Sequence, residues 1–289
     1  KRNLHKNPEY VERLKDELRI IREKNFSEYF ITMKAIIDLA KKHMFVGPGR
    51  GSGTGSLVNY VLGITDVDPL EYDLLFERFL SPERTEMPDI DTDVGDRDKL
   101  LEILREEFGT ENIVPISNYN TFKLKSLIKD VSKFYGIPFS ECNSALATLE
   151  KDCKAGLRKD GIGVIGPVQP TFDMLMKYSD RARSYIEEHP EIAEPLDVLF
   201  KQNKALGRHA GGVIVSENIA ERMPLILARG ETQTPWVEGA THKHLEHFGW
   251  VKFDLLGLET LRMVERSIQL ILKKQGVENP TFAEIDDWF

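Results

Sequence analysis

The chain has 289 residues, of which 41% are hydrophobic and 30% charged, and a formal net charge of −8. The apolar share supplies a sizeable core and excludes a disordered polymer, while the length fits two domains or one elaborated domain. The acidic balance excludes a chain that is basic overall and coats nucleic acid nonspecifically, but it leaves room for a local basic groove beside an acidic site.

Two cysteines, Cys142 and Cys153, form neither a CxxC pair nor a disulfide scaffold, so a reducing compartment and ordinary packing roles are expected. No apolar run reaches the length of a membrane span and no signal peptide is visible, which points to a cytoplasmic protein without a membrane partner. Lys1 stands where an initiator methionine would, as in an excised piece of a longer chain.

Asn7 followed by Pro8 predicts a capped helix over 7–24, with Val11, Leu14, Leu18 and Ile21 on one stripe. A second helix is expected over 28–43, then a short strand Met44-Phe45-Val46. Next comes Gly47-Pro48-Gly49-Arg50-Gly51-Ser52-Gly53-Thr54-Gly55-Ser56. Glycines at alternate positions let backbone N–H groups approach an anion, and Leu57–Gly63 would offer it a helix N-terminus. The P-loop spacing and the dinucleotide spacing both fail here, so a flexible glycine-rich turn stays open as the alternative. Asp68-Pro69-Leu70-Glu71 reads as a capping box opening a helix to about Leu80. Arg78 and Arg84 follow it, either as ion-pair partners of nearby carboxylates or as polyphosphate ligands.

In Met87-Pro88-Asp89-Ile90-Asp91-Thr92-Asp93-Val94 the carboxylates recur at every second position. As a strand, this places Asp89, Asp91 and Asp93 on one face, where mutual repulsion is relieved by a divalent cation. Aspartate is a poor strand former, so an acidic surface loop is the alternative. An amphipathic helix over 97–108 ending at Gly109 and a strand over 113–116 come next.

From 121 to 205 the pattern turns to helix after helix. Over 121–135, Lys123, Lys125, Lys129 and Lys133 alternate with Leu124, Leu127, Ile128, Val131 and Phe134, forming either a solvated face or a phosphate-backbone surface. Further helices are expected over 170–189 and 191–204. In Ala205-Leu206-Gly207-Arg208-His209-Ala210-Gly211-Gly212, small residues beside a basic pair and before a β-branched strand over 213–216 suggest close backbone approach to something large; a tight turn into a core strand explains the glycines equally well, though not Arg208-His209. His242, His244 and His247 have zinc-like spacing but no fourth ligand. Trp250–Leu258 is an apolar strand carrying Asp254, a lone carboxylate that needs a base or a shared metal.

Taken together, Gly49-Arg50-Gly51-Ser52-x-x-Gly55-Ser56, Thr65-Asp66-x-Asp68-Pro69, Leu75-Phe76-Glu77-Arg78-Phe79-Leu80-x-Pro82-Glu83-Arg84 and Met87-Pro88-Asp89-x-Asp91-x-Asp93 resemble the catalytic core of the bacterial replicative polymerases, the DNA polymerase III alpha subunits. Arg208-His209-Ala210-Gly211-Gly212-Val213 and Val251-Lys252-Phe253-Asp254-x-Leu256-Gly257-Leu258 match the same family in the same order. The chain departs from the family pattern at Val94-Gly95 and at Glu259.

The resemblance implies an α+β fold, a nucleotidyltransferase palm similar to that of polymerase beta with a mixed sheet and helices, and an inserted all-helical thumb. The palm would occupy 1–120 and 206–260, the thumb 121–205, and the start of the fingers 261–289. It further implies a DNA-directed DNA polymerase transferring dNMP from dNTP to a primer 3′-hydroxyl with two Mg²⁺ ions. Asp89, Asp91 and Asp254 would be catalytic metal ligands and Asp93 a secondary one. Arg50, Gly51, Ser52, Arg78, Arg84 and Lys252 would hold the triphosphate. Lys123, Lys125, Lys129, Arg208, His209, Gly211 and Gly212 would contact primer–template DNA. A sliding clamp and other replisome subunits would join the full-length protein, and this piece alone would extend primers poorly. A nucleotidyltransferase with a non-polymerase substrate and a noncatalytic DNA-binding module remain as rivals.

Overall fold

Asn7 accepts the Glu9 N–H through its side chain and Pro8 occupies the first turn of helix α1 (Pro8–Glu23), so the chain start folds as its capping residues dictate. This computed structural model describes residues 4–83, 87–228, 230–238 and 243–289. Helix α2 (Ser27–Ala40) follows, and both helices turn apolar faces inward. Met44–Val46, expected as a strand, contributes only an isolated bridge from Val46 to Val94. The glycine loop leads through a 3₁₀ turn (Ser52–Gly55) into the short helix α3 (Leu57–Leu62), closed by Gly63 in the left-handed region.

The helix expected from Asp68 is absent. Asp68 accepts the Leu70 N–H and the Tyr10 hydroxyl, Asp73 takes a positive φ of 50°, and only a 3₁₀ turn (Phe76–Arg78) forms. A side chain that caps a helix start can equally close a local turn, and here the turn wins.

The carboxylate stretch is a strand only from Asp91, as β1 (Asp91–Val94); residues 87–90 are irregular. The alternation holds, with Ile90, Thr92 and Val94 buried on one side and Asp91 and Asp93 partly open on the other. Helix α4 (Arg97–Phe108), capped by the Asp96 side chain and ended at Gly109, follows, then β2 (Ile113–Thr121).

The chain next forms α5 (Leu124–Phe134), α6 (Phe139–Ala145), α7 (Leu149–Lys159), α8 (Phe172–Tyr178), α9 (Asp180–Glu188) and α10 (Ala193–Leu199). The helix expected over 170–189 is broken at Ser179, and the one expected over 191–204 stops at Leu199. Strand β3 (Asn203–Val215) already begins at Asn203, so Arg208 to Gly212 lie within a strand and not in a turn. Then come α11 (Ile219–Arg222), a hairpin of β4 (Ile226–Ala228) and β5 (Glu231–Gln233), α12 (His244–His247), β6 (Lys252–Gly257), α13 (Glu259–Lys274) and α14 (Phe282–Trp288).

Two compact units result, one of residues 1–118 with 208–289, the other of residues 119–207. The first holds a mixed sheet in the order β1-β6-β3-β2, with β1 parallel to β6 and β3 antiparallel to β6. Helices α1, α2 and α4 cover one face, burying Ile36, Ile37, Leu100 and Leu104 with Val94, Val213, Phe253 and Leu255. Burial of one face forces the alternate residues, Asp91 and Asp254 among them, onto the other.

The second unit is helical, with its own core from Leu127, Ile128, Leu146, Leu149, Leu175 and Ile192 and with both cysteines buried in it as free thiols. In this unit His189 Nε2 lies 2.6 Å from Glu141 Oε1 and Nδ1 lies 3.4 Å from Glu191 Oε1. The hydrogen bond to Glu141 raises the imidazole pKa, partial burial opposes it, and Glu191 adds to the rise. A histidine with a raised folded pKa contributes stability that is complete below its unfolded pKa of about 6.5 and is lost as pH climbs through the folded value. The urea midpoint of this unit is therefore expected to fall between pH 6 and pH 8.5, and His189→Gln to flatten that slope. An unchanged slope in the variant would show that the pair carries no linkage.

Candidate active site

The register of the parallel pair places Asp91 directly opposite Asp254, and Gly212 of β3 flanks Asp254 on its other side. Asp89, just before β1, completes a cluster in which one oxygen from each of Asp89, Asp91 and Asp254 lies within 4.8 Å of the others. Asp254 is 6% exposed, and its Oδ1 is buried without a hydrogen-bond partner. Its other oxygen lies 2.7 Å from Lys252 Nζ, which is also 3.7 Å from Asp89.

The charges leave their mark on the titrations. Burial raises the pKa of Asp89, Lys252 pulls it back, and Asp254 and Asp91 raise it further. Asp91 is raised by burial, opposed by Arg50 and raised again by Asp254. Burial works against the Lys252 ammonium, yet Asp254 and Asp89 outweigh it and hold its pKa above the ordinary lysine value. A buried, unpartnered carboxylate oxygen within a converging acidic trio is the donor set that hard divalent cations take. The residues thus fit a divalent metal ion. Asp93, expected as a further ligand, does not join the trio: Arg50 holds it at 3.1 Å and reaches Asp91 at 3.8 Å.

Gly51 lies exposed against Asp91 of this cluster, and Ser52, next in sequence, is exposed as well. Gly51 has a φ of +66°, which favours glycine, and a Cβ there would sit a tight 3.0 Å from Asp91 Oδ2. The helix N-terminus beyond the loop is not open to an anion, contrary to expectation. Glu17 of α1, 1% exposed, accepts the Ser56 hydroxyl at 2.9 Å and the Leu57 and Val58 N–H groups at 2.9 and 3.0 Å. Arg13 completes this buried cap, 2.7 Å from Glu17 and bonded to the carbonyls of Gly55 and Leu74.

Of the other expected residues, Arg78 lies exposed in its 3₁₀ turn, while Arg84, like His242, lies outside the described residues. Arg208 is paired with Glu231 at 2.8 Å and with Asp98 at 2.9 Å. His209 turns back on its own strand, its Nδ1 accepting the N–H groups of Gly211 and Gly212 at 3.2 and 2.7 Å. Burial lowers its pKa, so it is a neutral ring with the proton on Nε2. A Cβ on Gly211 would meet Leu256 at 2.6 Å and one on Gly212 would meet His209 at 2.9 Å, which accounts for both glycines by packing. In the helical unit Lys125 pairs with Glu150 at 3.1 Å and Lys129 donates to Asn143 at 2.7 Å. Lys123 is exposed at the start of α5, and these three with Lys201, Phe122 and Phe200 line one cavity.

Three residues that the sequence reading missed shape this site. Arg97, 7% exposed, donates from α4 to the Leu255 carbonyl at 3.0 Å and to that of Gly211 at 3.5 Å, tying β6 to β3. Glu17 and Tyr29 are the others. None sits in a motif, and each meets partners distant in sequence.

The chain matches the family model described as the bacterial DNA polymerase III alpha NTPase domain over residues 1–257. It is 40% identical to the DNA polymerase III subunit alpha of Neisseria meningitidis serogroup A over 291 aligned residues, covering 97% of this chain and 23% of that protein. For the Aquifex aeolicus subunit the identity is 37%, with 93% and 24% covered, and for that of Escherichia coli K12 it is 34%, with 94% and 23% covered. The chain thus spans about a quarter of the length of these relatives. A family model matched over residues 1–257 and identities of 34–40% across more than nine-tenths of the chain lead to one assignment: the chain belongs to the bacterial DNA polymerase III alpha family.

Proposed function

We propose that this chain is the catalytic core piece of a DNA-directed DNA polymerase that adds dNMP from dNTP to a primer 3′-hydroxyl. The observation that carries the reading is the convergence of Asp89, Asp91 and Asp254, with the unpartnered Asp254 oxygen among them, beside the exposed Gly51. In this reading the unit of residues 1–118 and 208–289 is the palm with the start of the fingers, and the helical unit is the thumb. Asp89, Asp91 and Asp254 hold two Mg²⁺ ions, which when bound supply Lewis-acid polarisation of the phosphate oxygens and of the attacking hydroxyl.

The chain's own groups supply position and charge. Gly51, lacking a side chain, lets a triphosphate run close to Asp91, and the Ser52 side chain stands exposed beside it. Lys252 remains a cation beside Asp254 and neutralises negative charge built up on the phosphates. Arg50 is held by Asp91 and Asp93 and is placed to exchange those carboxylates for phosphate oxygens. Lys123, Lys125 and Lys129 contact the duplex backbone, and Arg208 does so by exchanging Asp98 or Glu231 for a phosphate. Arg78 and Arg84 serve the triphosphate, and a sliding clamp and other replisome subunits bind elsewhere on the full-length protein.

Primer extension by the intact protein, with Mg²⁺ and each single dNTP, tests this reading. Incorporation that follows the template base and disappears in Asp91→Asn is expected. Incorporation that ignores the template would favour a nucleotidyltransferase of another kind. Unchanged incorporation in the variant would refute the site, and no incorporation by the wild type would favour a noncatalytic DNA-binding module.

A further inference from the structure

Asp89 lies outside the sheet. Strand β1 begins only at Asp91, so the ladder that fixes Asp91 against Asp254 does not reach Asp89. Something else must hold that backbone if three carboxylates are to stay within reach of one another. The N–H of Ile90, the residue between Asp89 and Asp91, donates to the Tyr29 hydroxyl at 3.0 Å in a buried contact. Tyr29 belongs to α2 and is 5% exposed. Its ring stacks on Phe253, the neighbour of Asp254, with centroids 5.1 Å apart and planes 20° apart, and Phe30 meets it edge-on at 5.8 Å. One side chain therefore grips both acid-bearing segments, the first through its hydroxyl and the second through its ring. Burial raises the phenol pKa far above its ordinary value and the three carboxylates add to the rise, so the group stays neutral.

We propose that Tyr29 is a positioning residue that sets the place of Asp89 relative to Asp254 and thereby the affinity of the cluster for divalent cations. The inference rests on the reading of Asp89, Asp91 and Asp254 as the cation site. Without the hydroxyl, the Ile90 N–H is left buried and unpaired, a state that proteins avoid. Residues 88–90 then relax toward water and carry Asp89 away from its partners. Ring and hydroxyl are separable: Tyr29→Phe keeps the stack on Phe253 and deletes only the acceptor.

The test titrates Mn²⁺ into the intact protein without DNA or nucleotide, following free Mn²⁺ by electron paramagnetic resonance, and compares wild type, Tyr29→Phe and Asp254→Asn. Tyr29→Phe is expected to weaken Mn²⁺ binding by about tenfold or more, the usual cost of losing a group that orients a metal ligand. In primer extension it should raise the Mg²⁺ concentration for half-maximal rate by a similar factor, recover toward wild type at saturating Mg²⁺, and leave the KM for primer–template unchanged. A lowered melting temperature with unchanged Mn²⁺ affinity is the signature of a purely structural tyrosine and overturns the proposal. Loss of binding in Asp254→Asn without any change in Tyr29→Phe overturns it too, while leaving the cluster intact. Unchanged binding in Asp254→Asn overturns the cation site, and the role of Tyr29 with it.

Discussion

Asp254→Asn is expected to lower single-turnover primer extension by about 10³-fold, because losing one ligand charge removes several kcal/mol of transition-state stabilisation at about 1.36 kcal/mol per decade. The substitution is isosteric, so primer–template affinity should change little, and rapid-quench kinetics with saturating DNA separate the two. The reason lies in the surroundings of Asp254. Its Oδ1 has no partner, and only its Oδ2 meets Lys252, at 2.7 Å. An asparagine amide offers a neutral oxygen and an NH₂ that cannot coordinate. A loss below tenfold would show that the site operates without this carboxylate.

The same cluster should behave in the opposite sense for stability. Asp89 and Asp91 have raised pKa values, first through burial and then through neighbouring carboxylates. A carboxyl with a raised folded pKa is penalised when ionised, so its cost is present above the folded pKa and relieved as pH falls through it. In divalent-free buffer near neutral pH, Asp91→Asn is accordingly expected to melt no lower than wild type. Adding Mg²⁺ should raise the wild-type melting temperature and leave the variant's unchanged, as linkage requires of a ligand bound by the native state alone.

Glu17→Ala is expected to cost about 3–5 kcal/mol of stability, since it breaks a buried ion pair and strands the groups it bound. Ser56 Oγ, the Leu57 N–H and the Val58 N–H all lose their acceptor, and Arg13 loses its counter-charge. Glu17→Gln keeps an acceptor oxygen and should cost less. Urea unfolding monitored by tryptophan fluorescence gives both values. A cost for Glu17→Ala below about 1 kcal/mol, no more than a single ordinary hydrogen bond, would contradict a capping role.

Much of the local structure was legible because its causes are local. Asn7-Pro8 at the start of α1 and Gly109 at the end of α4 set those helices within one or two residues of expectation, since caps act over a single turn. Asp91 and Asp93 do share a face, because the strand pleat needs only the strand itself, whereas Asp89 lies before the strand and is placed by other contacts. Where a short motif had two local uses, the reading went astray. Asp68 closes a turn instead of starting a helix, and Arg208 to Gly212 extend a strand instead of forming a turn. The glycines there answer to Leu256 and His209, and those contacts exist only after folding.

By itself, then, the sequence determined the chemistry available to this protein: three acids in alternation, a lone Asp254 in an apolar strand, and a glycine loop with basic neighbours. Those follow from residue type and spacing, which every strand or loop obeys without help from the rest of the chain. Which carboxylates converge was decided only by the tertiary structure, through the parallel register that sets Asp91 against Asp254 and the arginine that draws Asp93 aside. It also decided that the α3 N-terminus serves Glu17 and not an anion from outside. Contacts between residues tens of positions apart depend on how whole elements pack, and no local pattern encodes that packing.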